Sequence, residues 1–181
     1  MISFNVVAST SEDTVVATYE PSKVRSDSYQ SEAELEKEFI RLLCEQGYTY
    51  LPLHTEDELI ANLRSQLEEL NHYQFSDTEW QQFFSDVIAN PNEHIPEKTR
   101  KIQDWEESKQ VLHRDDGSSK NITLIDKKNI HNNRLQVINQ YEVKQADGAR
   151  HDNRYDVTIL VNGFPLVHVE LKRRGVAIRE A

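Results

Sequence analysis

Hydrophobic residues recur at helical spacing in the first half of the chain, behind three polar start signals of one kind. Each signal is a capping box, in which a serine or threonine hydroxyl and a glutamate three residues later satisfy each other's backbone N–H groups. The boxes begin at Ser31, Thr55 and Ser76, while Gly47 and Asn90-Pro91 predict the ends of the first and third helices. The sequence therefore predicts three amphipathic helices, with apolar stripes formed by Leu35, Phe39, Leu42 and Leu43, by Leu59, Leu63, Leu67 and Leu70, and by Trp80, Phe83, Phe84 and Val87.

From Asn121 onwards the apolar residues follow the pattern of β-strands. Strands are predicted at Ile122–Ile125, Leu135–Val143, Tyr155–Val161 and Pro165–Leu171. Asn162-Gly163 separates the last two strands and is a strong hairpin signal. Helices followed by an antiparallel meander predict a mixed α/β (α+β) fold, in which helices flank a central β-sheet.

The segments outside these elements are polar. Residues 1–29 are expected to be irregular apart from a short strand at Thr14–Thr18, and residues 30–181 are expected to form a single domain. A short helix near Glu97–Ile102 and a loop at Asp115–Ser119 are predicted within the mixed stretch between the third helix and the first strand.

Charge and cysteine content restrict the class of protein. The 181 residues carry a net charge of −10, with 21 basic against 31 acidic residues, which argues against a domain that grips nucleic acid strongly by itself. The single cysteine, Cys44, is interpreted as a buried apolar residue of the first helix. One cysteine cannot form an intrachain disulfide, which fits a reducing cytoplasm. No apolar run is long enough for a membrane span, so no membrane partner is expected.

The most informative residues are acidic and basic groups at the ends of the last two, strongly apolar strands. Glu170 and Lys172 share a strand face because they are two residues apart, and Asp156 lies on the partner strand. Burying such charges costs several kcal/mol unless a bound cation compensates the carboxylates. The alternative is a surface hairpin with solvated charges, because a D-x(13)-E-x-K spacing alone occurs by chance in many proteins.

The register of the hairpin decides between these interpretations. A bare Asn162-Gly163 turn pairs Val161 with Phe164 and turns the Asp156 carboxylate to the wrong side. One extra residue, in a three-residue loop or a bulge, pairs Val161 with Pro165 and Asp156 with Glu170, and we predict that residue. In that register Asp156 and Glu170 offer hard oxygen ligands suited to Mg²⁺, and Lys172 can orient an attacking water and stabilise charge on a phosphate.

The hairpin phrase from Asn153 to Val167, followed by Glu170-Leu171-Lys172-Arg173-Arg174-Gly175, resembles the PD-(D/E)xK nucleases, and more narrowly the R subunit of type I restriction enzymes. Upstream likenesses cover most of the chain: Asp27-Ser28-Tyr29-Gln30-Ser31-Glu32, Thr99-Arg100-Lys101-Ile102 and Ile125-Asp126-Lys127-Lys128-Asn129. The resemblance implies a restriction-endonuclease-like core and Mg²⁺-dependent endonucleolytic cleavage of double-stranded DNA, within a complex with methyltransferase (M) and specificity (S) subunits.

The resemblance also implies roles for residues. Asp156 and Glu170 would be metal ligands and Lys172 the catalytic lysine. Related nucleases use a glutamate on the first helix, for which Glu36 is the first choice and Glu32, one turn earlier, the second. Candidate DNA contacts are Arg173 and Arg174 beside the site, and Lys127 and Lys128 in a loop.

Two departures from the family pattern stand out. Tyr155 occupies the position where the superfamily expects proline, and the Gln-x-x-x-Tyr element expected after the lysine is absent from a chain that stops at Ala181. Family members continue into an ATP-driven motor, but no Gly-x-x-x-x-Gly-Lys-Ser/Thr motif occurs here. ATP is therefore implied for the full-length subunit only.

Alternative interpretations remain open from the sequence. A repair or junction-resolving nuclease would keep the same fold and chemistry, and a non-catalytic docking domain would suit the acidic balance and the helical first half. His168 shares a face with Glu170 and is interpreted as a structural histidine with satisfied hydrogen bonds rather than a ligand. Trp80, Phe83 and Phe84 are interpreted as core or interface residues rather than a base-stacking platform.

Overall fold

The computed structural model describes residues 4–9, 15–19, 31–104, 109–143 and 153–172, and the chain divides into two compact units, Met1–Gln30 and Ser31–Ala181. The first unit contains an antiparallel pair of strands, β1 (Phe4–Ser9) and β2 (Val15–Tyr19), with a register shift between Val6 and Ala8. The expectation of an irregular segment over residues 1–29 is therefore wrong for these strands, although the strand expected at Thr14–Thr18 overlaps β2.

All three predicted capping boxes form at the starts of helices in the second unit. Helix α1 (Glu32–Glu45) is capped by Ser31, α2 (Glu56–Asn71) by Thr55 and α3 (Asp77–Phe83) by Ser76, each with its glutamate three residues on. A single π-helical turn (Phe84–Ile88) extends α3, and α4 (Ile95–Gln103) is longer than the helix predicted near Glu97–Ile102. No helix in the described residues is long and apolar enough to cross a membrane.

A four-stranded mixed sheet lies at the centre of this unit, in the order β3-β6-β7-β8. Its strands are β3 (Thr49–Tyr50), β6 (Leu135–Val143), β7 (Asn153–Val161) and β8 (Phe164–Val169). The short β3 runs parallel to β6, and the other neighbours are antiparallel, as the predicted meander requires. The predicted α+β fold with a central mixed sheet is confirmed.

A second small sheet was not predicted. It pairs β4 (Lys109–His113) with β5 (Ser119–Thr123), in a stretch expected to be polar loop with a strand only from residue 122. Only Leu112 and Ile122 are buried in these two strands, so neither shows the alternation that marks a half-buried strand.

The helices cover both faces of the central sheet. Leu43 of α1 packs with Val137 and Val157, whereas Leu59 of α2 packs with Ile138 and Leu160. A third cluster joins α2, α3, the small sheet and the start of β8 through Leu63, Leu67, Phe75, Trp80, Phe83, Leu112, Ile122, Leu124 and Phe164. The interpretation of Trp80 and Phe83 as core residues is confirmed, while that of Cys44 as buried is wrong, because Cys44 lies on the exposed side of α1.

The Asn-Gly turn between β7 and β8 is fixed to the rest of the domain. Asn162 and Gly163 have φ values of 49° and 83°, which a tight hairpin turn of type I′ requires. The buried Asn162 amide accepts from Arg134 N and donates to Leu124 O and to Asn133 Oδ1, at 2.8, 3.1 and 2.8 Å. The hairpin therefore leaves the turn in one fixed direction.

Candidate functional site

The β7–β8 hairpin contains the extra residue that the sequence predicts. Val161 pairs with Phe164 across the turn and Leu160 with Pro165, but Ile159 then pairs with Val167, so Leu166 is the additional residue of a bulge. The predicted bulge is confirmed, while the predicted pairing of Val161 with Pro165 is wrong, because the bulge follows the turn instead of enlarging it. Beyond the bulge the ladder ends with the pair Val157 and Val169, and continuing this register by one residue sets Asp156 opposite Glu170.

Hydrogen bonds hold the three predicted residues at the end of this hairpin. Asp156 Oδ2 accepts the backbone N–H of Leu171 at 2.7 Å, which ties its carboxylate to the segment that contains Glu170 and Lys172. Lys172 Nζ donates to Glu170 Oε1 at 2.6 Å. The structure thus brings two acids and an ammonium from neighbouring β-segments into one region.

The charge of Lys172 depends on these acids. The hydrogen bond to Glu170 raises the pKa of Lys172, and the negative charges of Glu170, Glu32 and Asp156 add to this effect against partial desolvation. The lysine is therefore fully protonated at neutral pH, and its most direct use is as a donor and a positive charge.

The two candidate glutamates of α1 have different surroundings. Glu36 accepts from Asn139 Nδ2 at 2.6 Å and from Gln140 Nε2, so both of its carboxylate oxygens contact β6. Glu32, the second choice, is the α1 glutamate whose charge acts on Lys172. Glu36 is therefore tied to the neighbouring strand, whereas Glu32 acts on Lys172 through its charge.

The donor set at the hairpin suits a hard cation that keeps much of its water. Asp156 and Glu170 supply only oxygen atoms, and Glu170 is exposed to solvent. Mg²⁺ is commonly held by one or two carboxylates and several waters. No group of three or more histidine, cysteine, aspartate or glutamate residues suited to a metal occurs in the described part of the chain, so a zinc-like cage is not found there.

The four candidate DNA contacts differ in position. Lys128 is exposed, in a loop that Asp126 holds by accepting backbone N–H groups from Lys128 and Asn129. The Lys127 ammonium is buried and without a hydrogen-bond partner within the described ranges, so as placed it does not reach a phosphate. Arg173 and Arg174 lie outside the described residues.

His168 has structural contacts, as predicted. Its Nδ1 lies 3.0 Å from Thr158 Oγ1, and its ring stacks on Tyr155 with centroids 4.0 Å apart. Partial desolvation lowers the pKa of His168, which favours the neutral imidazole.

Sequence reasoning missed Asn139 and Gln140. Both are amides in the middle of β6 whose side chains meet the Glu36 carboxylate, and Gln140 has the left-handed φ of 54°. Nothing in the sequence marks Gln140 for this conformation, which glycine and asparagine adopt far more readily.

Comparison with known proteins identifies the family. The model of the family described as "Type I restriction enzyme R protein N terminus" matches residues 29–181, and the chain belongs to this family. It is 46% identical over 176 residues to the type I restriction enzyme EcoprrI endonuclease subunit of Escherichia coli, covering 97% of this chain and 54% of that protein.

Staphylococcal relatives extend the match. The chain is 38% identical over 158 residues to the type I restriction enzyme SsaAORF53P endonuclease subunit of Staphylococcus saprophyticus, covering 84% of this chain and 16% of that protein. It is 38% identical over 159 residues to the SauMSSORF170P endonuclease subunit of Staphylococcus aureus, covering 85% and 16%. The chain thus spans about half of the Escherichia coli relative and a much smaller share of the staphylococcal ones.

Proposed function

We propose that this chain forms the nuclease domain of a type I restriction enzyme R subunit and cleaves double-stranded DNA with Mg²⁺. The observation that carries the proposal is the meeting of Asp156, Glu170 and Lys172 at the end of the bulged hairpin. The names of its relatives, which are endonuclease subunits of type I restriction enzymes, support restriction over a repair or junction-resolving role.

Each residue has one task in this proposal. Asp156 and Glu170 provide carboxylate oxygens for Mg²⁺, whose charge would acidify a water and counter charge on the phosphate. The Lys172 ammonium, held by Glu170 at 2.6 Å, orients the attacking water and stabilises negative charge on the phosphate oxygens. The negative charge of Glu32 further favours the protonated form of Lys172.

DNA must be delivered to this site by other parts of the enzyme. The chain has 31 acidic against 21 basic residues, which disfavours tight binding to a polyanion by this domain alone. We propose that the remainder of the R subunit, with the M and S subunits, supplies the grip on DNA. Lys128, Arg173 and Arg174 then add local phosphate contacts.

The test replaces Lys172 by alanine in the assembled restriction complex and measures DNA cleavage and ATP hydrolysis together. Cleavage is expected to fall by at least about 100-fold, in the range that removal of a charge-stabilising donor produces, with ATP hydrolysis retained. Lys109→Ala, an exposed lysine on β4, is the matched control and should cleave normally. Undiminished cleavage by the Lys172 variant would rule out catalysis at this site and leave the docking role as the alternative.

A further inference from the structure

Gln140, which lies opposite the proposed metal ligand Asp156, has a left-handed backbone conformation and interrupts the pairing of β6 with β7. The ladder pairs Asn139 with Val157 and Tyr141 with Tyr155, but the rung between them, Gln140 with Asp156, is missing. Gln140 has a φ of 54°, a conformation that persists for such a residue only where its surroundings hold it.

The side chain of Gln140 donates a hydrogen bond to Glu36 of α1. Its two carboxylate oxygens accept from consecutive residues of β6, Asn139 Nδ2 at 2.6 Å and Gln140 Nε2. Consecutive strand residues normally point to opposite faces, so both reach α1 only because the left-handed residue breaks the alternation. The Asn139 amide has a further contact, because the Tyr50 hydroxyl of β3 donates to Asn139 Oδ1 at 2.9 Å.

The packing beyond Gln140 shows the same change of face. Tyr141 lies in the cluster of Ile138 and Leu160 beneath α2, although Ile138 and Tyr141 are three residues apart and would point to opposite faces in a regular strand. The distortion therefore also affects the packing beneath α2.

We propose that Glu36 is a positioning residue for Asp156, a role that rests on the nuclease function proposed above. By holding Gln140 left-handed, Glu36 keeps the rung opposite Asp156 open. Asp156 is then released from pairing with β6 and turns its carboxylate to Leu171 N–H on the β8 side, at 2.7 Å. Glu36 touches neither substrate nor metal in this proposal and acts through the backbone of β6.

The test measures hydrogen exchange of the Leu171 amide, which reports the placement of the Asp156 carboxylate without requiring activity. Glu36→Ala is expected to lower Leu171 protection by roughly 10-fold or more, because the amide loses a well-placed charged acceptor. Glu38→Ala, on the exposed side of the same helix where Glu38 pairs with Arg41, is the matched control and should change nothing. The Arg134 amide, bonded to Asn162 Oδ1 at the other end of the sheet, serves as the reference for global folding.

A rescue experiment separates positioning from general packing. Glycine adopts positive φ without assistance, whereas valine resists it, so Gln140→Gly should restore Leu171 protection in the Glu36→Ala background and Gln140→Val should not. Failure of glycine to rescue, or equal behaviour of Glu36→Ala and Glu38→Ala, would overturn the proposal. Glu36→Gln, which keeps one acceptor oxygen, should give an intermediate loss and replaces Glu36→Ala if that variant does not fold.

Mn²⁺ titration of the same variants, followed by calorimetry, connects the position of Asp156 to its use. Glu36→Ala should bind Mn²⁺ roughly 10-fold more weakly or worse, with recovery in the glycine double variant. If Leu171 exchange responds but Mn²⁺ binding and cleavage do not, positioning stands and the proposed role of Asp156 as a metal ligand fails. If Asp156→Asn abolishes cleavage while Glu36→Ala leaves Leu171 exchange unchanged, the nuclease assignment stands and positioning by Glu36 is overturned.

Discussion

A Cβ atom added to Gly163 would stand 2.6 Å from the Cα of Leu63, because the turn of the β7–β8 hairpin lies directly against the backbone of α2. Contacts this short with backbone atoms are not relieved by moving a flexible side chain. The glycine therefore has two separate reasons to be there, its φ of 83° and the closeness of the helix. Through this contact the helix fixes the start of the strand that leads to Glu170 and Lys172.

Gly163→Ala should destabilise the domain far more than a glycine-to-alanine substitution whose only cost is an unfavourable positive φ. Gly117→Ala is the matched control, because Gly117 has a similar φ of 79° and no atom within 4 Å of an added Cβ. Urea unfolding should show Gly163→Ala to be less stable than Gly117→Ala by about 1–3 kcal/mol, the usual cost of overpacking. Equal free energies of unfolding would mean that the turn moves freely away from α2.

Asn162→Ala should also destabilise the domain, for a different reason. The Asn162 side chain is 1% exposed and makes hydrogen bonds with Arg134 N, Leu124 O and Asn133 Oδ1. Truncation to alanine removes all three hydrogen bonds. We expect a loss of about 3 kcal/mol in the free energy of unfolding, since each buried polar group left unsatisfied costs about 1–3 kcal/mol. His72→Ala has the same φ of 49° at an exposed position and should cost much less. A loss no larger than that of His72→Ala would contradict the role of the Asn162 amide.

Glu79 predicts an acid-sensitive stability. It is 5% exposed, and although burial by itself raises its pKa, hydrogen bonds from Ser76 N, Tyr73 OH and Asp115 N lower the pKa below the ordinary value. A carboxylate with a lowered folded-state pKa stabilises the fold above its unfolded pKa, and this contribution is lost as the pH falls through the folded pKa.

Urea unfolding of wild type and Glu79→Gln between pH 7 and pH 3 checks this expectation. The variant should be less stable at pH 7 by about 1–3 kcal/mol, and the difference should shrink on acidification below about pH 4.5 as wild-type Glu79 becomes neutral. Glu58→Gln replaces the corresponding glutamate of the exposed capping box of α2 and should show a smaller difference. A gap between wild type and Glu79→Gln that is constant with pH would rule out the charge of Glu79 as its cause.

Local signals made much of the fold predictable. The capping boxes at Ser31, Thr55 and Ser76 fixed helix starts because their hydrogen bonds involve only neighbouring residues. Alternation and the Asn-Gly pair likewise predicted β6, β7 and β8. The small sheet escaped notice because Leu112 and Ile122 are the only buried residues in strands that are otherwise half-buried or exposed.

The composition of the candidate site could be predicted from the sequence, but its geometry only in part. The hairpin acids and Lys172 could be found because period-two spacing and one bulge decide which side chains meet. The choice between Glu32 and Glu36 could not be made, since it depends on how α1 packs across the sheet. The left-handed Gln140 was equally hidden, because no local preference favours this conformation and its hydrogen-bond partner Glu36 is distant in sequence.

Removal of divalent metal should stop DNA cleavage without unfolding this domain. Its clusters are apolar, and the described residues hold no group of three or more metal-type side chains that could form a structural cage. EDTA should therefore abolish cleavage by the assembled enzyme and leave the domain folded, which an unchanged urea midpoint would show.

Mg²⁺ at about ten times its Kd should raise the free energy of unfolding by only about 1.4 kcal/mol, because it stabilises by binding the native state alone. Asp156→Asn should lose that increment, while Asp86→Asn, an exposed aspartate after α3, should retain it. An increment that survives in Asp156→Asn would place the metal elsewhere, and unfolding in EDTA would mean that the ion is structural.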